Sequence, residues 1–318
     1  MAGALLPVTR AAGRIIMSYF GTDPDVDRKG DDSPVTRADR EAEDAIVEAL
    51  AKIAPGVPVV AEELASRGDA PDVGATFFLV DPLDGTRGFI KGRTEFTVNI
   101  GLVADGQPIF GIVYRPATSE LFMSVGTSEA VEALLGCGSD SLASPLSLDA
   151  LDLRPIAPRP MNRDALLAVG SRYISKRLQE RLDQVGAGQV HANSSVKFCM
   201  IARGDGDFYP RYGRISEWDT AAGAAVLSAA GGCTTGLDGR PLVYGKSAAG
   251  FPNEAFIAWS TLRRGLQPLD RLGSEVDEIE SESLKARLGT DSLPSELAPF
   301  AHRINELLER IETAFERE

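Results

Sequence analysis

The chain has 318 residues, of which 43% are hydrophobic and 25% charged, and a formal net charge of -13. This length can bury a substantial core, as one large domain or as two lobes. The acidic balance argues against a nucleic-acid polymer or an anionic membrane as partner, whereas a small anionic substrate can still bind where metal ions and a few Lys or Arg reverse the local field.

The remaining composition excludes several other classes. Three cysteines, Cys137, Cys199 and Cys233, show no C-x-x-C spacing, which suggests a reduced compartment and no zinc site. Two histidines, His191 and His302, argue against a histidine-rich metal site and against a Ser-His-Asp triad. No apolar run approaches the roughly 18 residues of a transmembrane helix. We see no signal peptide either, so we expect a cytoplasmic protein.

The first elements in the chain are helical. Apolar residues at helical spacing predict an amphipathic helix over residues 4–20. The polar stretch 21–32 predicts a mobile loop. Thr36 followed by Asp39 then resembles a capping box at the start of a second helix that extends to Ile53. Asp39 alone would be read as a residue that stabilises the helix dipole.

Two short apolar strands each run into carboxylates. Residues 57–60 precede Glu62, and residues 77–80 precede the segment Asp81-Pro82-Leu83-Asp84-Gly85-Thr86. In that segment Pro and Gly predict a tight turn at the end of the strand. Carboxylates, a carbonyl and a hydroxyl are the hard oxygen ligands that Mg²⁺ prefers. For the isolated segment, a plain strand followed by an Asp-Gly turn remains the alternative.

The rest of the chain alternates strands and helices. An antiparallel meander is predicted from three strands at 96–102, 108–114 and 120–125, and residues 126–160 show little periodicity. Further strands are expected at 166–169, 190–193, 208–211 and 255–259, with helices at 175–185, after Ser194-Ser195, and from Glu217 to Ala230. Small residues in the last helix would let it pack closely on its neighbours. The pattern predicts a layered α/β or α+β architecture.

We divide the chain into three regions. Residues 1–160 form an N-terminal lobe, residues 161–260 a C-terminal lobe, and residues 261–318 an acidic, helical extension. An apolar stripe over 297–315 predicts a helix in that extension. This helix either docks on its own chain or forms the contact of a homodimer.

Several motifs together resemble the inositol monophosphatase superfamily. Asp81-Pro82-Leu83-Asp84-Gly85-Thr86 and Trp218-Asp219-Thr220-Ala221-Ala222-Gly223 resemble its signature pair. Within it, five further segments are similar to the CysQ-type 3′(2′),5′-bisphosphate nucleotidases: 32–36, 88–91, 95–100, 194–199 and 209–213. The matches occur in family order across residues 3–260. The implied fold is a layered α-β-α-β-α sandwich with two lobes.

The resemblance also implies a site. It would hold two to three Mg²⁺ ions, with Glu62, Asp81, the Leu83 carbonyl, Asp84 and Asp219 as ligands. Asp39 and Thr86 would orient and deprotonate the attacking water, with help from Glu62. The implied substrate-binding residues are Gly85, Thr86, Arg172, Ser194, Ser195, Lys197, Arg211 and Asp219. Alone, the two serines could simply cap a helix and the arginines could be surface charges.

The implied activity is Mg²⁺-dependent hydrolysis of the 3′-phosphate of a small nucleotide, adenosine 3′,5′-bisphosphate or its phosphosulfate analogue, with inhibition by Li⁺. Inositol monophosphatase or fructose-1,6-bisphosphatase activity on the same scaffold is the alternative within the superfamily. A non-catalytic metal- or nucleotide-binding protein is the alternative of another class.

Overall fold

The computed structural model describes residues 1–22, 26–29, 34–137, 147–172 and 174–261. The predicted helix at 297–315 and the C-terminal extension lie outside these residues. The chain divides into a large unit, residues 1–234 and 242–262, and a second unit, residues 235–241 and 263–318. In the described part of the second unit, the Gly236 amide donates to the Arg240 carbonyl at 2.8 Å and closes a turn.

Two helices and a small hairpin open the fold. Helix α1 (Ala2–Tyr19) and helix α2 (Arg37–Ile53) confirm the two predicted helices. Between them, strand β1 (Val26–Arg28) pairs antiparallel with strand β2 (Pro34–Thr36). The predicted loop over 21–32 is therefore wrong in part. All three residues of β1 are exposed, so no apolar alternation marks the strand in the sequence.

A seven-stranded sheet forms the centre of the first half. Its strands follow chain order: β3 (Val59–Ala61), β4 (Thr76–Asp84), β5 (Thr97–Ala104), β6 (Gln107–Arg115), β7 (Glu120–Val125), β8 (Glu129–Leu134) and β9 (Arg154–Ile156). Strands β3 and β4 are parallel, and every other pair is antiparallel. Two short helices, α3 (Glu62–Ser66) and α4 (Thr86–Ile90), follow β3 and β4.

The predicted meander β5–β7 is confirmed, but it continues further than expected. No strand or helix was predicted between residues 126 and 160, whereas β8 and β9 lie there. Strand β8 is rich in Ala and Glu, which have low strand propensity. Its pairing with β7 along the whole strand, from Glu120↔Leu134 to Val125↔Glu129, compensates for that propensity.

The second half contains a five-stranded sheet. Its strands are β10 (Leu167–Gly170), β11 (Gly188–His191), β12 (Phe208–Arg211), β14 (Cys233–Gly236) and β16 (Phe256–Trp259), in the order β11-β10-β12-β16-β14. Strands β13 (Ile215–Ser216) and β15 (Pro252–Asn253) form a separate antiparallel pair. The helices are α5 (Lys176–Gln184), α6 (Val196–Arg203) and α7 (Ala221–Ala229).

The elements stack in five layers. Alternate residues of β6 divide between two cores: Ile112 and Tyr114 pack with α1 and α2, and Val113 packs with α6 and α7. The second core also includes Tyr209 of β12 and Phe256 of β16. Helix α5 packs on the second sheet through a smaller cluster that contains Leu178 and Phe208. The predicted α-β-α-β-α layering is confirmed.

Helix α7 packs very closely on its neighbours, as its small residues predict. A Cβ atom on Gly111 of β6 would lie 2.1 Å from the Ala222 carbonyl oxygen, and one on Gly223 would lie 2.6 Å from the Phe198 ring. One continuous helix from Glu217 was expected, and that expectation is wrong. Residues Glu217–Asp219 form a 3₁₀ turn because Asp219 and Ser216 make a capping box there, and α7 starts at Ala221.

Candidate active site

The segment 81–86 does not form the expected tight turn after a strand. Strand β4 continues to Asp84, and its pairing with β5 shifts register between Asp81 and Asp84. Asp81 lies opposite Asn99 and Asp84 opposite Thr97, so β4 carries one extra residue. In a regular strand, residues three apart point to opposite faces, and a bulge changes that alternation. Gly85, at φ 102°, then ends the strand and α4 begins at Thr86.

Three acidic side chains converge at this bulge. Glu62 follows β3, Asp81 lies in β4, and Asp219 ends the 3₁₀ turn before α7. One carboxylate oxygen from each lies within 4.8 Å of the others. Three predicted metal ligands from distant parts of the sequence therefore meet at one point.

Burial and mutual repulsion disfavour the ionised forms of Asp81 and Asp219. Burial raises the pKa of Asp81 well above its usual value, and Glu62, Asp84 and Asp219 raise it further. Burial, followed by the negative charges of Asp84 and Glu62, raises the pKa of Asp219 to about 8. Such crowding of buried carboxylates fits a site for a divalent cation with oxygen ligands.

Asp84 and the Leu83 carbonyl, the other two predicted ligands, lie beside the cluster with defined partners. The backbone amide of Ser195 donates to Asp84 Oδ2 at 2.7 Å, and the Ser195 hydroxyl lies 3.0 Å from the same atom. The Leu83 carbonyl oxygen lies 3.1 Å from the Thr86 hydroxyl oxygen. Asp81 in turn accepts from the Leu83 amide at 3.0 Å, which fixes the bulge.

Asp39 and Thr86 form a direct pair. The Thr86 hydroxyl lies 2.9 Å from Asp39 Oδ1, while Asp39 Oδ2 accepts from the amide and the hydroxyl of Thr36 at 2.8 and 2.6 Å. Asp39 is 1% exposed, and this burial raises the pKa of its carboxyl. The capping box read from the sequence is present, and it orients the same carboxylate toward Thr86.

Lys29 is a site residue that no sequence pattern predicted. Its ammonium lies 2.5 Å from Glu62 Oε1 and 2.7 Å from Glu63 Oε1. Burial acts to lower the pKa of Lys29, but the two carboxylates outweigh it and raise the pKa. Nothing in the local sequence marks Lys29, because its partners lie more than thirty residues away.

The predicted substrate-binding residues divide into two groups. Ser194 and Ser195 face the bulge: Ser194, at φ 57°, places its hydroxyl 3.0 Å from the carbonyl oxygens of both Asp84 and Glu95. Gly85 lies against Ser194, since a Cβ there would be 2.7 Å from Ser194 Oγ. Thr86 and Asp219, described above, complete this group.

The second group consists of cations. Lys197 is 4% exposed and donates to the Ser194 carbonyl at 2.8 Å, and burial lowers its pKa to about 8. Arg211 lies at the end of β12 and is partly exposed, and Arg172 is exposed after β10. Tyr209, in the segment 209–213 that resembles the nucleotidases, packs edge-on against Phe198 and Phe256 in the core.

Two further polar contacts that were not predicted connect the sheets. The Asn193 side chain donates to Glu95 Oε2 at 2.6 Å, and the Asn99 side chain donates to Ser195 Oγ at 2.9 Å. Glu95 and Asn99 lie in a segment that resembles the nucleotidases, but the resemblance assigned them no role. Among the described residues, no helix is both long enough and apolar enough to cross a membrane.

Comparisons with known proteins agree with this architecture. The family profile described as "Inositol monophosphatase family" matches residues 1–266. A second profile, "Sensor protein PhoQ-like, HAMP domain", matches residues 266–313, which lie outside the described residues.

Curated relatives and solved structures give the same picture. A protein of Shigella flexneri named "3′(2′),5′-bisphosphate nucleotidase CysQ" is 38% identical over 253 residues, 79% of this chain and 94% of the relative. The crystal structure of CysQ from Bacteroides thetaiotaomicron superposes with a TM-score of 0.65 at 32% identity, covering 82% of this chain and 97% of that one. An IMPase of Thermotoga maritima shares the fold, with a TM-score of 0.66 at 22% identity. The chain therefore belongs to the inositol monophosphatase family.

Proposed function

We propose that this protein is a Mg²⁺-dependent phosphomonoesterase that removes the 3′-phosphate of adenosine 3′,5′-bisphosphate, or of its phosphosulfate analogue. The observation that supports it most is the convergence of Glu62, Asp81 and Asp219, whose oxygens lie within 4.8 Å of one another. The names of the CysQ relatives support the nucleotide as substrate.

In this proposal Glu62, Asp81, Asp84, Asp219 and the Leu83 carbonyl hold the metal ions. Mg²⁺ bound there would neutralise charge on the phosphate and acidify a water molecule. Lys29 pairs with Glu62 and Glu63 at one side of the cluster. Asp81 and Asp219 lie among other carboxylates, and a bound cation would favour their ionised forms. The chemistry of the donor set fits Mg²⁺, which binds oxygen ligands almost exclusively.

The Thr86–Asp39 pair moves the proton. The Thr86 hydroxyl donates to Asp39 Oδ1 and can accept a hydrogen bond from the attacking water. As the water oxygen bonds to phosphorus, the bond from phosphorus to the 3′ oxygen breaks, and that oxygen takes its proton from solvent. The proton of the water passes to Thr86 Oγ1, and the Thr86 proton passes to Asp39 Oδ1. Thr36 holds the other oxygen of Asp39, so the acceptor keeps its orientation. No histidine is needed.

Recognition of the nucleotide is assigned to the side of α6. Arg172 and Arg211 would contact the second phosphate, and the buried Lys197 ammonium would add positive charge behind Ser194 and Ser195. This charge compensates locally for the net charge of -13.

A phosphate-release panel tests the proposal. Adenosine 3′,5′-bisphosphate, inositol 1-phosphate and fructose 1,6-bisphosphate are compared at equal concentration with Mg²⁺, with and without Li⁺. We expect the highest kcat/KM for the nucleotide and inhibition by Li⁺. Preference for a polyol phosphate would move the activity to the alternative on the same scaffold. No phosphate release from any of them would favour a non-catalytic binding protein.

The metal assignment has its own test. Asp84→Asn keeps the size of the side chain but removes its charge, so we expect turnover to be lost while circular dichroism shows an intact fold. Full activity in this variant would contradict the assigned ligands.

A further inference from the structure

Behind the Asp219 turn lies a buried charged residue that the proposed chemistry does not use. Glu217 is fully buried, and its carboxylate accepts hydrogen bonds from the amides of Gly245 and Lys246 at 2.7 and 3.1 Å. The Lys246 ammonium also lies 2.7 Å from Glu217 Oε1. A buried carboxylate is costly unless it is paired and hydrogen-bonded, and here the segment 245–246 supplies all of these partners.

The Lys246 ammonium extends these contacts into a closed chain. It donates to the Asn253 side-chain oxygen at 2.9 Å and also to the Val243 carbonyl. The Asn253 amide group donates to Thr220 Oγ1 at 2.7 Å, and the Thr220 hydroxyl donates to the Glu217 carbonyl at 3.0 Å. With Glu217, Asn253 and Val243 as acceptors, the three protons of the ammonium each have a partner.

This series of hydrogen bonds holds the turn on both sides of Asp219. Glu217 lies two residues before it and Thr220 directly after it, and both are fully buried. Asp219 itself is fixed at one oxygen, since Oδ2 accepts from the Ser216 amide at 3.1 Å. The backbone adds a further contact from the Glu217 amide to the Phe251 carbonyl at 2.8 Å.

We propose that Lys246 and Thr220 are positioning residues for the metal site: through Glu217 and Asn253 they set the orientation in which Asp219 faces Glu62 and Asp81. The inference rests on the proposed function, because it takes Asp219 as a metal ligand. Partners of this kind that orient a metal ligand commonly affect metal affinity by about 10–100-fold.

The test measures metal binding without turnover. Mn²⁺ binding to the full chain, without substrate, is followed by isothermal titration calorimetry for two matched pairs. Thr220→Val removes the hydroxyl at constant shape, and Thr220→Ser retains it. Lys246→Met removes the partly buried ion pair with Glu217, and Lys52→Met removes an exposed one with Glu48.

We expect Thr220→Val and Lys246→Met to weaken Mn²⁺ binding about tenfold, and Thr220→Ser and Lys52→Met to bind as the unsubstituted protein does. The double variant Thr220→Val/Lys246→Met should bind Mn²⁺ no more weakly than the single variant with the lower affinity, because both substitutions interrupt the same series of hydrogen bonds. Circular dichroism and unfolding without metal separate this effect from a loss of stability, and the neutral Thr220→Val remains informative if Lys246→Met does not fold.

Two outcomes would overturn the inference, and they differ. Unchanged Mn²⁺ affinity in a folded Thr220→Val or Lys246→Met variant would overturn it and leave the proposed function intact. Absence of Mn²⁺ binding in the unsubstituted protein would overturn both.

Discussion

The backbone amide and the hydroxyl of Ser195 both meet the same carboxylate oxygen of Asp84, at 2.7 and 3.0 Å. The same hydroxyl lies 2.7 Å from the Asp219 carbonyl. Ser195 therefore connects two proposed metal ligands, one from each half of the chain. This contact was not anticipated, since Ser195 was predicted to bind substrate.

Ser195→Ala should accordingly raise the Mg²⁺ concentration that the protein requires for activity. It removes the hydroxyl contacts and keeps the amide contact to Asp84, so we expect the Mg²⁺ concentration for half-maximal activity to rise about tenfold. Phosphate release over a Mg²⁺ titration at saturating nucleotide measures this. If only the KM for the nucleotide rises, Ser195 binds substrate as the sequence analysis predicted.

Thr86→Val should reduce the rate of the chemical step. It removes the hydroxyl that relays a proton to Asp39, and the expected loss in kcat is about 10²–10⁴-fold. Thr86→Ser keeps the hydroxyl and serves as the matched control, with a much smaller loss. Single-turnover rates at saturating Mg²⁺ separate this effect from weaker binding, and equal rates for the two variants would exclude the relay.

The metal-free protein should become less stable as pH rises from 6 to 8. Burial raises the pKa of Glu43 and of Glu63 to about 7, and that of Asp219 to about 8. Each pKa lies above its unfolded value, so the folded state binds more protons. The stability from this binding is present at low pH and is lost as pH rises through the folded pKa.

Melting temperatures in EDTA at pH 6 and pH 8 test this expectation. Excess Mg²⁺ should raise the melting temperature more at pH 8 than at pH 6, because the metal replaces the bound protons. Glu43→Gln should weaken the pH dependence without removing it. A metal-free protein that is more stable at pH 8 would contradict the electrostatic description of the site.

Gly85→Ala should destabilise the fold more than an ordinary substitution at positive φ. Gly85 has φ 102°, and a Cβ would lie 2.7 Å from Ser194 Oγ. Gly56 has φ 83° with nothing within 4 Å, so Gly56→Ala isolates the backbone cost of about 1–2 kcal/mol. We expect Gly85→Ala to cost about 1 kcal/mol more than that. Urea unfolding of both variants measures the difference, and equal costs would show that Ser194 moves aside freely.

The sequence was informative wherever a signal was local. The capping box at Thr36 and Asp39, the alternation in β5 and the small residues of α7 each depend on neighbouring positions, and all three are present. The resemblance to a family then predicted that Glu62, Asp81 and Asp219 form one site, although no sequence periodicity connects them.

The features that were not predicted from the sequence depend on contacts between distant residues. Lys29 belongs to the site only because it pairs with Glu62 and Glu63. Strand β8 forms because it pairs with β7. The prediction of a turn in place of the bulge in β4 was wrong because Pro82 and Gly85 suit either structure. Its true form depends on the register of β5, where Asn99 and Thr97 lie opposite Asp81 and Asp84.

The close approach at Gly111, where a Cβ would lie 2.1 Å from the Ala222 carbonyl oxygen, bears on how the site could have diverged. Residues 218–223 and 81–86 must stay at one separation for their carboxylates to share an ion. At Gly111, α7 meets β6 backbone against backbone, so a larger side chain there would push the helix, and with it the turn that holds Asp219, away from the sheet. In the proposed function, substrate preference would therefore change at exposed arginines such as Arg172, and not through the spacing of the carboxylates.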